Sequence, residues 1–367
     1  MREFTDDVLN GISDKLKVTK KHSFYYKCLY NEFKSSRFKT RFERVESCLD
    51  FWLWDKYEVN ELLNLKKVNR CMDRFCPNCR SVAISRAISN FEIPFKTMLD
   101  KGYSPYFMTL TVPNVSGQEL KKTIQLLGQR FTKFWRWINQ PLESGYGGFK
   151  KRLFHAPAAI RMLEITIQEN NSNMYHPHFH LMVFLKDEDS NDFQKYIPGP
   201  FRRKSNDYLL YSNADIHIMK LWKLAWDNIR ITNYDSIPDE WWNTDLQSPN
   251  FYQCDIRPLE MPTGIYEVFK YTFKDTDIRH YDNFKTIFNA LDGKRLRQGH
   301  GELYNVELEF EDDTLDDRDC IENYLENDKK ETPQEVITRT IEELTTVYKN
   351  YRKLSLFKGA EHIDNIS

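Results

Sequence analysis

A chain of 367 residues can build one large domain or two ordinary ones, each with a sizeable core. Its 53 basic and 54 acidic side chains give a net charge of −1, and no apolar run reaches the roughly 18 residues of a membrane-spanning helix. The charge is unevenly spread: residues 302–367 hold 18 acidic and 8 basic groups, a net of −10, which leaves +9 for residues 1–301. A basic body with an acidic appendage fits a nucleic-acid binder and argues against a protein with no polyanionic partner.

In chain order, Met1 to Asn10 includes Asp6 and Asp7 and lacks the apolar segment of a secretory leader, so a cytoplasmic protein with reduced thiols is expected. Lys34 to Phe42 interleaves cations with rings, a pattern that suits phosphates and unpaired bases. Three of the seven cysteines then fall within nine residues, Cys71, Cys76 and Cys79. In a reducing compartment such a cluster favours a metal over a disulfide, and Cys76-x2-Cys79 is half of a common zinc site. A fourth ligand must come from elsewhere. Cys48, just before a Phe51-Trp52-Leu53-Trp54 strand, is the first choice, with Cys28 and His22 as alternatives. Four protein ligands leave no open position, so this zinc would be structural. Residues 1–95 are read as a basic, Cys-rich zinc-binding module.

Residues 96–301 are read as the catalytic domain. Phe131, Phe134, Trp135 and Ile138 fall at helical spacing and face a core. Ile160 to Ile167 and the run from Tyr175 to Leu185 flank the polar Asn170-Asn171-Ser172-Asn173, which reads as an antiparallel hairpin. Side chains alternate faces along a strand, so His178 and His180 point to one side and Phe179 to the other. A turn centred near Ser172 puts Glu164 opposite His180 and Thr166 opposite His178, on the face they share. Two imidazoles and a carboxylate with open positions suit a divalent ion that also holds substrate oxygens, Mg²⁺ or Mn²⁺. Further on, Phe201 to Lys204 reads as an exposed basic loop, and Leu221, Trp222, Leu224, Ala225, Trp226 and Ile229 as a packed helix.

Gly264 to Asp275 reads as a helix with Glu267, Tyr271 and Lys274 on one face and Ile265, Val268, Phe269 and Thr272 on the other. A tyrosine hydroxyl can serve as a nucleophile, and a carboxylate one turn away can activate a water. Residues 302–367 are expected to form an acidic helical tail. Thr332-Pro333-Gln334-Glu335 reads as a capping box, and Ile337, Ile341, Leu344, Tyr348 and Tyr351 as the seam of the helix after it.

Taken together, the Phe107–Asn114 strand, the histidine run, the Glu267-x3-Tyr271-x2-Lys274 spacing and the Cys71–Cys79 cluster resemble the rolling-circle replication initiators of small bacterial plasmids, within the HUH endonuclease superfamily. Ala290 to Arg295 is similar to a segment near the end of their catalytic region, so the likeness spans roughly residues 45–302. The resemblance implies an α+β fold with an HUH-type antiparallel sheet flanked by helices. It implies His178 and His180 as metal ligands, Tyr271 as DNA-cleaving nucleophile, Glu267 as activator of the terminating water, and a cysteine at Cys48 in the zinc site. Origin DNA, with a host helicase and polymerase, would be the partners. No G-x4-G-K-[ST] loop is present, in keeping with a reaction that conserves phosphodiester energy and needs no nucleotide. A transposase or mobilisation relaxase would share the histidines and tyrosine, whereas a non-catalytic zinc-dependent regulator would form no covalent adduct with DNA.

Overall fold

The computed structural model describes residues 6–49, 51–57, 63–139, 155–168, 171–186, 190–202, 208–229, 252–259, 280–308 and 336–343, together with Ile265, Val268, Phe269 and Ile278. Helices α1 (Asp6–Phe33) and α2 (Ser36–Glu46) are followed by β1 (Phe51–Tyr57), β2 (Leu63–Val68) and α3 (Pro77–Asp100). Strands β3 (Ser104–Leu110) and β4 (Val115–Ser116) lead into α4 (Gly117–Asn139), then β5 (Ala158–Gln168) and β6 (Asn171–Leu185). After them come β7 (Ile197–Arg202), β8 (Tyr208–Tyr211), α5 (Asn213–Trp226), β9 (Cys254–Pro258), α6 (Tyr281–Leu291), β10 (Arg297–Gly301) and β11 (Val336–Glu343). The chain divides into two units, residues 1–85 with 310–367 and residues 86–309, and the division falls inside α3.

The 86–309 unit is built on an antiparallel sheet of order β10-β5-β6-β3-β9, with β4 pairing the start of β6. Its strands are rich in aromatic and branched residues, which favour a pleated, half-buried surface. One sheet face carries Phe179, against which α4 sets Phe131 at 5.5 Å between rings. The other carries Phe184, covered by Phe91 and Phe95 of α3. Helix α4 buries Phe131, Phe134 and Ile138 as their spacing predicts, together with Leu120, Ile124 and Leu127, but Trp137 is buried in place of Trp135. Helix α5 buries Leu221, Trp222, Leu224 and Ala225, while Ile229 lies beyond its end and is exposed. Buried Asp215 caps α5 with Ser212 and accepts from the Ile256 amide at 2.7 Å, tying α5 to β9.

Two further sequence expectations are corrected. Residues 336–343 form a strand antiparallel to β1 rather than a helix, giving a three-stranded sheet β11-β1-β2 in the other unit. Val336, Ile337, Thr338, Thr340 and Ile341 are β-branched, stiff at χ1, and better suited to a pleated ladder. The hairpin also closes two residues tighter than expected. Glu164 pairs with His178, Thr166 with His176, and Met162 with His180. Asn171 to Asn173 belong to β6 rather than to the turn. A two-residue slip keeps every side chain on its face.

Candidate functional site

The even-numbered face of β5 and β6 presents Glu164, His178 and His180 together. Glu164 Oε2 lies 2.7 Å from His180 Nε2 and 3.4 Å from His178 Nε2. The two Nε2 atoms are 3.1 Å apart, with the rings almost perpendicular. All three ligand atoms lie within 4.8 Å of one another, so one ion can meet them all. His178 is buried; Glu164 and His180 are partly open to solvent, as substrate access requires.

The outer nitrogens are also engaged. His178 Nδ1 donates to the His176 carbonyl at 3.0 Å, which leaves the Nε2 lone pair for the shared point. His180 Nδ1 pairs with Thr109 Oγ1 at 3.2 Å, because β3 sets Thr109 directly opposite His180. Phe107, one row along β3, stacks near the His180 ring at 5.0 Å. Thr109 and Phe107 are supporting residues that sequence reading left without a role, although both stand in the Phe107–Asn114 strand. Burial alone would push the Glu164 carboxyl up, but hydrogen bonds and charge from His178 and His180 outweigh it and hold it well below the usual carboxylate range. His176 stacks on His178 at 4.9 Å and is lowered to about 4 by burial first and then by the His178 imidazole, so it stays neutral. The donor set, an ionised carboxylate with two imidazole lone pairs, fits a divalent cation.

The second cluster lies in the other unit. Cys48, Cys71, Cys76 and Cys79 are all buried and form one group within 4.8 Å. Sulfur–sulfur distances are 3.5 Å for Cys48–Cys79 and Cys71–Cys79 and 3.8 Å for Cys48–Cys76. A tetrahedral ion with metal–sulfur bonds of about 2.3 Å needs sulfurs roughly 3.8 Å apart, so the group fits zinc. Cys48 comes from the turn after α2, Cys71 and Cys76 from the loop entering α3, and Cys79 from the first turn of α3; His22 and Cys28, both on α1, are not in the group. Hydrogen bonds from Cys48, Cys71 and Cys79 hold the Cys76 thiol well below its usual range, while burial first of all pushes Cys71 up. Thiols packed this closely share protons until a cation replaces them.

Glu267, Tyr271 and Lys274 lie outside the described residues. Their neighbours Val268 and Phe269 are helical and buried, and Phe269 packs on Phe91 at 5.5 Å between ring centroids. Of the basic loop, Phe201 and Arg202 end β7 and the rest lies outside the described residues. No described helix is long and apolar enough to cross a membrane.

A family model described as "Replication protein" matches residues 62–199, a stretch containing Cys71, Cys76, Cys79, Glu164, His178 and His180. A Bacillus species has a protein named "Protein rep" that is 25% identical over 309 residues, covering 81% of this chain and 89% of the relative. "Protein rep" of Bacillus amyloliquefaciens is 26% identical over 298 residues, 78% of each chain. In Streptococcus pneumoniae, "Protein rep" is 32% identical over 151 residues, 40% of this chain and 42% of the relative. No solved structure matches. The chain is therefore similar to replication proteins, over residues 62–199 in the family model and over most of its length in the two Bacillus relatives.

Proposed function

We propose that the protein initiates rolling-circle replication by nicking one strand of its replicon's double-strand origin, as an HUH nickase. The observation that carries this reading is the convergence of Glu164, His178 and His180 on one face of adjacent strands. Mg²⁺ or Mn²⁺ held there would polarise the scissile phosphate and stabilise charge as it develops. Glu164 supplies the anionic ligand, and His178 and His180 are kept in register by the His176 carbonyl and Thr109. The Tyr271 oxygen attacks phosphorus and forms a phosphotyrosine with the DNA 5′ end. The P–O3′ bond breaks, the departing oxygen takes up a proton, and a 3′-OH is freed for a polymerase. Lys274, one turn beyond Tyr271, shares its face and offers a cation to the phosphate. Glu267 deprotonates a water that later hydrolyses the phosphotyrosine. Support for the tyrosine helix comes from buried Val268 and Phe269, the apolar side the sequence requires of it.

The zinc cluster is structural in this reading, the partners are origin DNA with a host helicase and polymerase, and the work is done in the cytoplasm. The test is incubation with labelled single-stranded origin DNA and Mn²⁺. An SDS-stable protein–DNA adduct is expected, and Tyr271→Phe should abolish it without changing the fold. An adduct that survives in Tyr271→Phe would remove that residue and point to Tyr266.

A further inference from the structure

Helix α1 has a solvent face that the proposed reaction does not use. Lys17, Lys20, Lys21, Phe24, Lys27 and Asn31 are all exposed and recur at three- and four-residue spacing, so they occupy one arc. The opposite arc, with Thr19, His22, Tyr26 and Leu29, is buried. The burial is specific. The Tyr26 hydroxyl donates to Asp73 at 2.7 Å, and Asn78 donates to Thr19 at 2.7 Å, both from the cysteine loop 71–79. Arg41 of α2 donates to the other Asp73 oxygen at 3.0 Å. The loop therefore clamps α1 from inside and fixes which arc faces outward. On that arc Lys20 reaches the Glu46 carbonyl at 3.0 Å and Lys21 lies over the Tyr25 ring at 5.9 Å. Glu32 is the acidic group exposed at its end.

We propose that this arc of α1 is a docking surface for duplex DNA, with Lys17, Lys20, Lys21 and Lys27 on the phosphates and the cysteine loop as its mount. Charge complementarity selects the partner. The four lysines span about 15 Å of helix axis at 1.5 Å per residue, opposite a duplex carrying one phosphate charge per roughly 1.7 Å. Phe24, 58% exposed, is the single large apolar residue in the arc among the described residues, too little for a hydrophobic protein interface. The proposal rests on the reading of the chain as an origin-binding protein.

The test titrates the full-length protein into a short fluorescein-labelled mixed-sequence duplex and follows anisotropy across a NaCl series. In the triple variant Lys17→Gln, Lys21→Gln, Lys27→Gln, affinity should fall by roughly tenfold or more, and the slope of log affinity on log salt by nearly 3, about 0.9 per lost contact. Glu32→Gln should act in the opposite sense and tighten binding. Zinc content and thermal midpoint report folding of the triple variant; if they fall, Glu32→Gln decides alone. Unchanged affinity and salt slope in a folded triple variant, or no tightening in Glu32→Gln where it decides alone, overturns the surface. Adduct formation by the wild type is scored separately. An adduct alongside lysine-insensitive duplex binding sinks only the α1 surface, whereas lysine-dependent duplex binding with no adduct supports the surface and sinks the nickase reading.

Discussion

His178 and His180 differ in how they are held, although they share a metal point. His178 is buried and fixed by a backbone carbonyl, while His180 is more open and fixed by a hydroxyl. Replacing both with Ala removes two of three ligand atoms and should abolish cleavage, yet leave duplex binding largely intact, because phosphate contacts lie elsewhere. Gel-shift and nicking assays on one preparation check this; equal loss of both would mark the histidines as structural. Glu164→Ala should raise the Mn²⁺ concentration needed for half-maximal cleavage, since the anionic ligand is lost, and an unchanged titration would exclude it. Glu267→Ala separates the two halves of the cycle. Nicking and adduct formation should persist while hydrolytic release slows, and products should run longer than unit length on a denaturing gel. If initial nicking fails as completely as in Tyr271→Phe, Glu267 acts on the tyrosine instead.

At the scale of elements, β10 is held against its surroundings through backbone. A Cβ at Gly299 would lie 1.8 Å from the Leu303 carbonyl oxygen, and one at Gly301, where φ is +61°, 1.9 Å from that of Pro157. Neither neighbour can swing away, as a flexible side chain would. Gly299→Ala should therefore destabilise the 86–309 unit by roughly 1–3 kcal/mol or more, read as a lower midpoint in urea; a midpoint within error of wild type would show that the β10 turn yields. Strand identity was legible at β5 and β6 because a period of two survives any even slip of register. The register itself was not, because the polar run that marks the turn is four residues of small polar type with no single turn centre, and Asn171 serves equally as turn or strand. The tail shows the converse failure. Ile337 and Ile341 satisfy a helical seam, but the partner that makes them a strand, β1, lies almost three hundred residues away, and no local pattern reports it. Cys71, Cys76 and Cys79 were legible from spacing, while the fourth ligand had to be chosen among Cys48, Cys28 and His22 and is Cys48 in the group; the contribution of Thr109 needed the β3–β6 pairing.

For the whole molecule, the two candidate metal groups fall in different units, the cysteines in one and the Glu–His–His group in the other. Structural zinc contributes its binding free energy to folding only where it is bound. Cys76→Ser should lower zinc content and the unfolding temperature of the unit that holds it, while leaving the transition of the 86–309 unit in place. Calorimetry with a zinc assay checks this. A single transition that shifts as one would mean that the two units unfold together, and wild type purified without zinc would refute the cluster.

Asp73 has one more implication, in terms of electroneutrality. A divalent ion on four thiolates keeps two negative charges in excess, and buried Asp73 adds a third within the same loop. Charge of that density inside a protein needs a counter-charge close by. Arg41, whose guanidinium also lies 5.8 Å from the Tyr26 ring centre, provides one. It is thus an internal counterion rather than a hand held out to nucleic acid, and the run Lys34 to Phe42 offers DNA less than its count of cations implies.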